Sequence, residues 1–135
     1  MHLPFRVGIS PTLNIRGIIA TEDMPKGIII ERCPVILFSH GQAKLLMQTL
    51  LKNYYFEWTK EYIAIVLGYG SLINHSYKPN TEYFNNYKAG EIVYRTYKPV
   101  RKNEELFVNY NGEPASTEPV GEDLNFDMSA YRPSR

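Results

Sequence analysis

Apolar residues recur along this chain mainly with the two-residue spacing of short β-strands. β-Branched and aromatic residues dominate these segments, which favours extended backbone. Pro25 and Gly27 divide the first segment into two strands around a turn, and Lys88, Ala89 and Gly90 separate the two halves of a predicted hairpin. Strands are predicted in residues 16–31 (two strands and their turn), 35–38, 54–58, 62–67, 81–87, 91–97 and 105–110.

A helical pattern is convincing in one place, residues 41–52. Ala43, Leu46, Met47 and Leu50 recur there at three and four positions and form one apolar stripe. This pattern predicts a helix that covers one edge of a sheet, in preference to a helix that binds a partner. The chain is therefore predicted to be a mostly β protein with one main helix.

The periodicity disappears from Gly112 onward, where proline, serine and acidic residues predominate. At 135 residues, with no internal repeat and no interdomain linker, the chain has the length of one domain. We expect a folded domain over residues 1–112 and a tail over residues 113–135 that is mobile unless something docks it. Phe126 and Tyr131 are the aromatic residues of the tail that could dock.

Composition and charge exclude several classes of protein. The formal net charge of +1 gives no electrostatic reason to expect direct nucleic-acid or membrane binding. The single cysteine, Cys33, excludes an internal disulfide framework and a cysteine-rich zinc cluster, and we expect it to be a packing residue. His2 and His40 share no ligand spacing, so no metal site is expected. Without a secretory signal or a long apolar run, the expectation is a cytoplasmic or otherwise intracellular protein.

The segment 67–80 carries the most concentrated chemistry. Two glycines around a tyrosine open it, so the backbone can turn there or let a ligand come close. Asn74, His75 and Ser76 follow, and each can donate and accept hydrogen bonds. Pro79 closes the segment with a turn. This combination is typical of a ligand-binding corner.

Three segments in this order resemble the SET-domain protein lysine methyltransferases. The middle one, Ile-Asn-His-Ser followed by Pro-Asn, matches the central signature of that family almost letter for letter. The likeness runs over residues 7–112, and the compact form is most similar to the minimal viral and bacterial members. The segments are residues 16–20 with 25–27, residues 73–76 with 79–80, and residues 105–110.

The resemblance implies a fold of several small β-sheets with a knot-like C-terminal segment. It also implies S-adenosylmethionine as the methyl donor and a lysine side chain of a histone or other protein or peptide as the acceptor, with the two entering from opposite sides. Minimal relatives can pair, so a homodimer is a further expectation. If a lid covers the substrate channel, Phe126 or Tyr131 must supply it, because the cysteine-rich module of many relatives is absent.

The resemblance also assigns roles to individual residues. Tyr110 corresponds to the catalytic tyrosine, with an ordinary strand-end tyrosine as the alternative. The implied substrate channel is lined by Tyr69, Tyr83 and Tyr110, although Tyr83 could equally be a cross-strand packing residue. The implied cofactor-binding residues are Arg16, Gly17, Tyr69, Asn74 and His75.

Two departures from the family pattern keep other functions open. Ile15 stands where many relatives have glycine, which puts the local backbone path in doubt. Asn111 replaces the glycine that usually follows the catalytic tyrosine, a milder change because asparagine tolerates left-handed geometry. The alternatives are a catalytically inactive SET-like domain that binds a peptide or partner, and an unrelated β-rich interaction module.

Overall fold

The structure is a computed structural model that describes residues 2–120. Nine strands, one α-helix and two 3-10 turns alternate along the chain. The strands are β1 (Phe5–Ile9), β2 (Arg16–Ala20), β3 (Ile29–Ser39), β4 (Tyr55–Glu57), β5 (Tyr62–Val66), β6 (Asn74–His75), β7 (Thr81–Asn86), β8 (Glu91–Thr96) and β9 (Phe107–Val108). The helix is α1 (His40–Leu46), and the 3-10 turns are Leu50–Asn53 and Tyr69–Leu72.

The strands form three small sheets. An antiparallel pair joins β1 to β2, five strands pair in the order β4-β5-β3-β8-β7, and a parallel pair joins β6 to β9. The five-stranded sheet curves until its two edges approach each other. Asn85 of β7 donates a hydrogen bond to the carbonyl of Glu57 in β4 at 3.1 Å, and the rings of Phe56 and Tyr83 meet edge to face at 5.2 Å. This mostly β architecture confirms the predicted fold class.

Strand β3 is longer than the sequence predicted, because it joins the end of residues 16–31 to residues 35–38 in one strand. A register shift between Ile29 and Glu31 lets it continue past an irregular start. The two strands predicted in residues 16–31 do not pair with each other. Instead β2 pairs with β1, a strand that the sequence did not reveal, and β3 pairs with β5 and β8.

The predicted helix 41–52 is divided in two. Ser39 caps α1 by accepting a hydrogen bond from the backbone N–H of Gln42, and the helix ends at Leu46. The Thr49 hydroxyl donates to the carbonyl of Leu46 at 2.7 Å and accepts from the N–H of Leu51. Because this side chain competes with the backbone for helical hydrogen bonds, the chain turns and continues as the 3-10 turn Leu50–Asn53.

The C-terminal part of the domain threads between elements from earlier in the chain. Leu106 donates its N–H to the carbonyl of Ile18 at 2.8 Å, and Val108 accepts from the N–H of Ser76 at 2.9 Å. Leu106, Val108 and Ile18 are all fully buried. The predicted strand 105–110 is regular only at β9, because its neighbours are two different segments. This crossing brings the central signature against the last strand.

The helix α1 has seven residues. Throughout residues 2–120, helices lack the length and apolar character that a membrane crossing requires.

Candidate functional site

Two cavities adjoin each other beside the C-terminal crossing. The large cavity has a volume of about 540 Å³ and lies between the edges β4 and β7, and the small cavity has a volume of about 190 Å³ and lies beside β2 and β6. Asn53, Tyr54, Ser71 and Tyr110 line both. The large cavity is also lined by Tyr55, Phe56, Glu57, Tyr83, Phe84, Tyr87 and Glu113, and the small one by Leu13, Ile15, Arg16, Leu72, Asn74 and His75.

Tyr110 is held at the wall between the cavities by two hydrogen bonds. Its backbone N–H donates to Nδ1 of His75, and its hydroxyl donates to the carbonyl of Ile73, each at 3.0 Å. The rings of Tyr110 and His75 lie 5.1 Å apart. Burial raises the pKa of the Tyr110 phenol far above its ordinary value. The phenol is therefore neutral and fixed in direction at neutral pH.

His75 lines the small cavity and has a polar atom without a partner. Because Nδ1 accepts the hydrogen bond from Tyr110, the proton of the neutral ring is on Nε2. Nε2 is buried and has no hydrogen-bond partner. Burial lowers the pKa of His75, which favours this neutral form. The edge of the Tyr77 ring, 4.5 Å away, packs against the imidazole.

Asn74 is tied to the protein more closely than the sequence implied. Its amide nitrogen donates to the carbonyl of Arg16 at 3.1 Å and to Oε2 of Glu105 at 2.8 Å. A Cβ atom on Gly17 would lie 2.6 Å from that carboxylate oxygen and 2.9 Å from the Asn74 nitrogen. Gly17 is therefore required for packing, and both amide hydrogens of Asn74 are used within the protein.

Tyr83, for which the resemblance implies a place in the substrate channel, lines the large cavity. Its hydroxyl donates to the carbonyl of Tyr110 at 3.3 Å, and burial raises its pKa to about 12. It also packs against the ring of Phe56, so this residue has a packing role as well as a place at the cavity.

Of the predicted site residues, Tyr69 and Gly17 line neither cavity. The ring of Tyr69 is 43% exposed and meets the edge of Phe5 at 5.5 Å. The next residue, Gly70, sets this orientation, because its N–H donates to Oε1 of Glu31 and a Cβ there would lie 2.2 Å from the Tyr94 ring. Gly70 must face the core, and Tyr69 lies on the other side of the turn.

The sequence missed Asn53 and Tyr54, although both line the two cavities. They stand at the end of the 3-10 turn and just before β4. Tyr54 lies close enough to Tyr110 to contribute to the raised pKa of that phenol. The chain has 11 tyrosines, and no local pattern separates Tyr54 from the others.

The first part of the predicted tail is docked against the site. We call residues 113–120 the strap segment. Asn109 donates from its amide to the carbonyl of Ser116 at 2.8 Å, and the carbonyl of Glu118 accepts from Asn111 at 2.8 Å and from the Tyr77 hydroxyl at 3.1 Å. The docking residues proposed for a lid, Phe126 and Tyr131, lie outside the described residues.

Cys33 and the acidic residues within 2–120 show no arrangement for metal binding. Cys33 is buried and donates its thiol hydrogen to Oε1 of Glu31 at 2.9 Å, and burial raises its pKa far above the ordinary value. In residues 2–120 there is no group of three or more histidine, cysteine, aspartate or glutamate side chains that could hold a metal ion.

Comparison with known proteins defines the family. Residues 15–111 match the model of the SET domain. The matched region contains both the central signature and Tyr110, and it covers most of the chain. The chain therefore belongs to the SET-domain family.

The relatives include one curated enzyme and several solved structures. The chain is 34% identical over 101 residues to a histone-lysine N-methyltransferase of Schizosaccharomyces pombe that is specific for H3 lysine-37, a match that covers 70% of this chain and 65% of that protein. A candidate histone methyltransferase from Plasmodium falciparum superposes with a TM-score of 0.65 at 26% identity, over 82% of this chain and 95% of that one. A chain of the Chaetomium thermophilum Polycomb Repressive Complex 2, bound to S-adenosylmethionine, has the same fold, with a TM-score of 0.70 at 22% identity. That match covers 82% of this chain and 15% of the other.

Proposed function

We propose that this chain is a protein-lysine N-methyltransferase that uses S-adenosylmethionine. The observation that carries this proposal is the meeting of two cavities at one wall that contains Tyr110 and Tyr54. A methyl transfer requires the donor and the acceptor to meet end to end, and two cavities that share a wall suit that geometry. The Schizosaccharomyces pombe relative, a histone-lysine methyltransferase, supports this proposal.

The small cavity fits the donor by the chemistry of its lining. Apolar side chains at Leu13, Ile15 and Leu72 suit an adenosyl group, and Arg16 brings a positive charge for a carboxylate. The buried Nε2 of His75 has no partner in the protein, so a ligand acceptor would satisfy it. S-adenosylmethionine, when bound there, supplies an electrophilic methyl group on a positively charged sulfur.

The large cavity fits a lysine side chain. A lysine with a pKa of about 10.4 is mostly charged at pH 7, and neutralising it costs roughly 4.6 kcal/mol. A desolvating channel lowers that cost, because burial disfavours the ammonium. Tyr54, Tyr83 and Tyr110 exclude water with their rings, while their hydroxyls can orient the amine. Since the pKa values of Tyr83 and Tyr110 are raised, these phenols stay protonated and act by orientation.

The charges around the large cavity also favour a basic peptide. Glu57 and Glu113 line it, and none of its lining residues within 2–120 is a lysine, arginine or histidine. Long-range attraction of this kind raises the rate of encounter with a positively charged segment. A histone tail has this chemistry, and so do other basic protein segments.

We extend the catalytic unit to residue 120, because the strap segment contributes Glu113 and Val120 to the large cavity. The lid at Phe126 or Tyr131 stays a prediction. Pairing into a homodimer, the lack of direct nucleic-acid or membrane contact, and an intracellular location also stay predictions. Sedimentation of the purified chain would test pairing.

Tyr110→Phe tests the proposal. The variant loses the hydroxyl but keeps the ring that packs against His75, so it should fold, bind S-adenosylmethionine with unchanged affinity, and transfer methyl groups at least 100-fold more slowly. Transfer is measured with radiolabelled S-adenosylmethionine on histones and on cell lysate. Tyr62→Phe is the matched control, because Tyr62 lies on β5 and lines neither cavity.

Wild-type protein that binds S-adenosylmethionine but labels nothing would instead support the inactive peptide-binding alternative. Equal transfer by Tyr110→Phe and the wild type would contradict the role given to the Tyr110 hydroxyl.

A further inference from the structure

Asn53 lines both cavities, and its side-chain oxygen is a hydrogen-bond acceptor without a donor. Its Oδ1 is one of four buried side-chain atoms in residues 2–120 that have no partner. The other three belong to His75, Tyr94 and Glu105. Of these four residues, Asn53 is the one that lines both cavities. A buried amide oxygen without a donor lowers stability, so its position calls for a ligand that donates.

The cavity that this ligand occupies can be argued from where the other unpartnered atoms lie. The small cavity has Nε2 of His75 as an unpartnered atom of its own, whereas in the large cavity Asn53 alone among the described lining residues has one. The large cavity is where a lysine side chain would enter. An amine has N–H groups to donate, which is what the Asn53 oxygen lacks.

We propose that Oδ1 of Asn53 accepts a hydrogen bond from the amine of the substrate lysine and holds it at the junction of the two cavities. This inference rests on the proposed function. A neutral amide is suited to the task, because it orients an N–H without the charge by which a carboxylate would favour the ammonium. Asn53 then acts together with Tyr110, whose hydroxyl stands in the same wall.

The charged and titratable groups around this junction define a pH experiment. Glu57 and Glu113 line the large cavity, and Arg16 and His75 line the small one. None of them changes in Asn53→Asp, which keeps the size and the acceptor but adds a negative charge next to the amine. That charge raises the pKa of the bound lysine amine, so the acidic limb of the kcat profile, on which kcat rises with pH, should move upward by about one pH unit.

Asn86→Asp is the matched control. It adds the same charge on β7, where the Asn86 oxygen accepts from the N–H of Ala89 at 3.2 Å and lines neither cavity. The pH profile of this variant should match that of the wild type. Melting curves and S-adenosylmethionine binding confirm that each variant is folded.

Asn53→Leu removes the acceptor and gives a readout that needs no methyl transfer. A peptide with lysine is compared with the same peptide carrying norleucine, which has the alkyl chain but no amine. The ratio of the two dissociation constants should shift towards norleucine by about tenfold relative to the wild type, and kcat/KM for the lysine peptide should fall by about tenfold.

The outcomes separate the inference from the proposed function. Failure of the wild type to label any protein overturns the proposed function, while the norleucine comparison still tests Asn53. An unchanged ratio in Asn53→Leu overturns the inference even if the wild type is active. The inference is also overturned if Asn53→Asp changes the affinity for S-adenosylmethionine but leaves the pH profile of kcat unchanged. Asn53 would then contact the methyl donor and not the lysine amine.

Discussion

Replacing Gly17 with alanine tests how tightly β2 packs against the central signature. The added Cβ would stand 2.6 Å from Oε2 of Glu105 and 2.9 Å from the amide nitrogen of Asn74. Both side chains are 7% exposed and are joined by a hydrogen bond of 2.8 Å. Because neither can swing into solvent, the methyl group must separate them or displace the backbone of β2.

The expected loss of folding stability can be worked out from the contacts that the methyl group disrupts. A hydrogen bond to a carboxylate contributes about 1.5–3 kcal/mol, and forcing a methyl group into a packed site costs about 1–3 kcal/mol. Alanine also restricts the unfolded chain more than glycine does, which offsets about 0.5 kcal/mol of this loss of stability. We expect Gly17→Ala to lower the free energy of unfolding by about 3 kcal/mol, a large part of the 5–15 kcal/mol typical of a domain.

Urea denaturation followed by circular dichroism measures this loss. With a slope of about 1.5 kcal/mol per molar urea, the midpoint should fall by about 2 M. Gly41→Ala is the matched control, because Gly41 lies in α1 and the nearest atom to its added Cβ is Oγ of Ser39 at 3.9 Å. That variant should be unchanged or more stable by about 0.5–1 kcal/mol. A midpoint for Gly17→Ala within 0.3 M of the wild type, on the order of 0.5 kcal/mol by the same slope, would refute the packing argument.

The remaining predictions concern pH and the strap segment. Because burial lowers the pKa of His75, the unfolded chain binds a proton there more readily, so stability should fall as the pH drops below about 6.5. His75→Gln should flatten that dependence in urea titrations between about pH 7.5 and 5.5, and an equal slope in both proteins would contradict this cause. Asn111→Ala and Tyr77→Phe each remove one hydrogen bond to the carbonyl of Glu118, so amide exchange in residues 113–120 should speed up about fivefold. Exchange rates equal to the wild type would show that these bonds do not hold the strap segment.

Local sequence patterns predicted much of the secondary structure. The hairpin of β7 and β8 was predicted to within a residue at each strand end, because its alternation and its turn at Gly90, with a φ of 67°, are local features. Strand β1 was missed although Phe5, Val7 and Ile9 alternate along it as in a strand; Val7 and Ile9 are exposed in the fold. Thr49 divided the predicted helix through side-chain hydrogen bonds that the apolar spacing does not reveal.

The residues of the candidate site were likewise predicted only in part from the sequence. The central signature pointed to Asn74 and His75, and the segment 105–110 pointed to Tyr110; the fold brings these residues together. Tyr69 lines neither cavity, because the side of a turn on which a residue lies depends on what its neighbour packs against. Asn53 drew no attention, since its unpartnered oxygen exists only once β4 and the 3-10 turn before it are placed beside Tyr110.

The sequence by itself determined most of the strands, the order of the motifs and the family, because these depend on residue types at fixed spacings along the chain. The tertiary structure decided which polar side chains line a cavity and which of their atoms already have hydrogen-bond partners within the protein. Asn74 donates its amide hydrogens to Arg16 and Glu105, whereas the side-chain oxygen of Asn53 has no hydrogen-bond donor. Hydrogen bonds between residues 31 and 58 positions apart are formed by folding, and no local pattern encodes them.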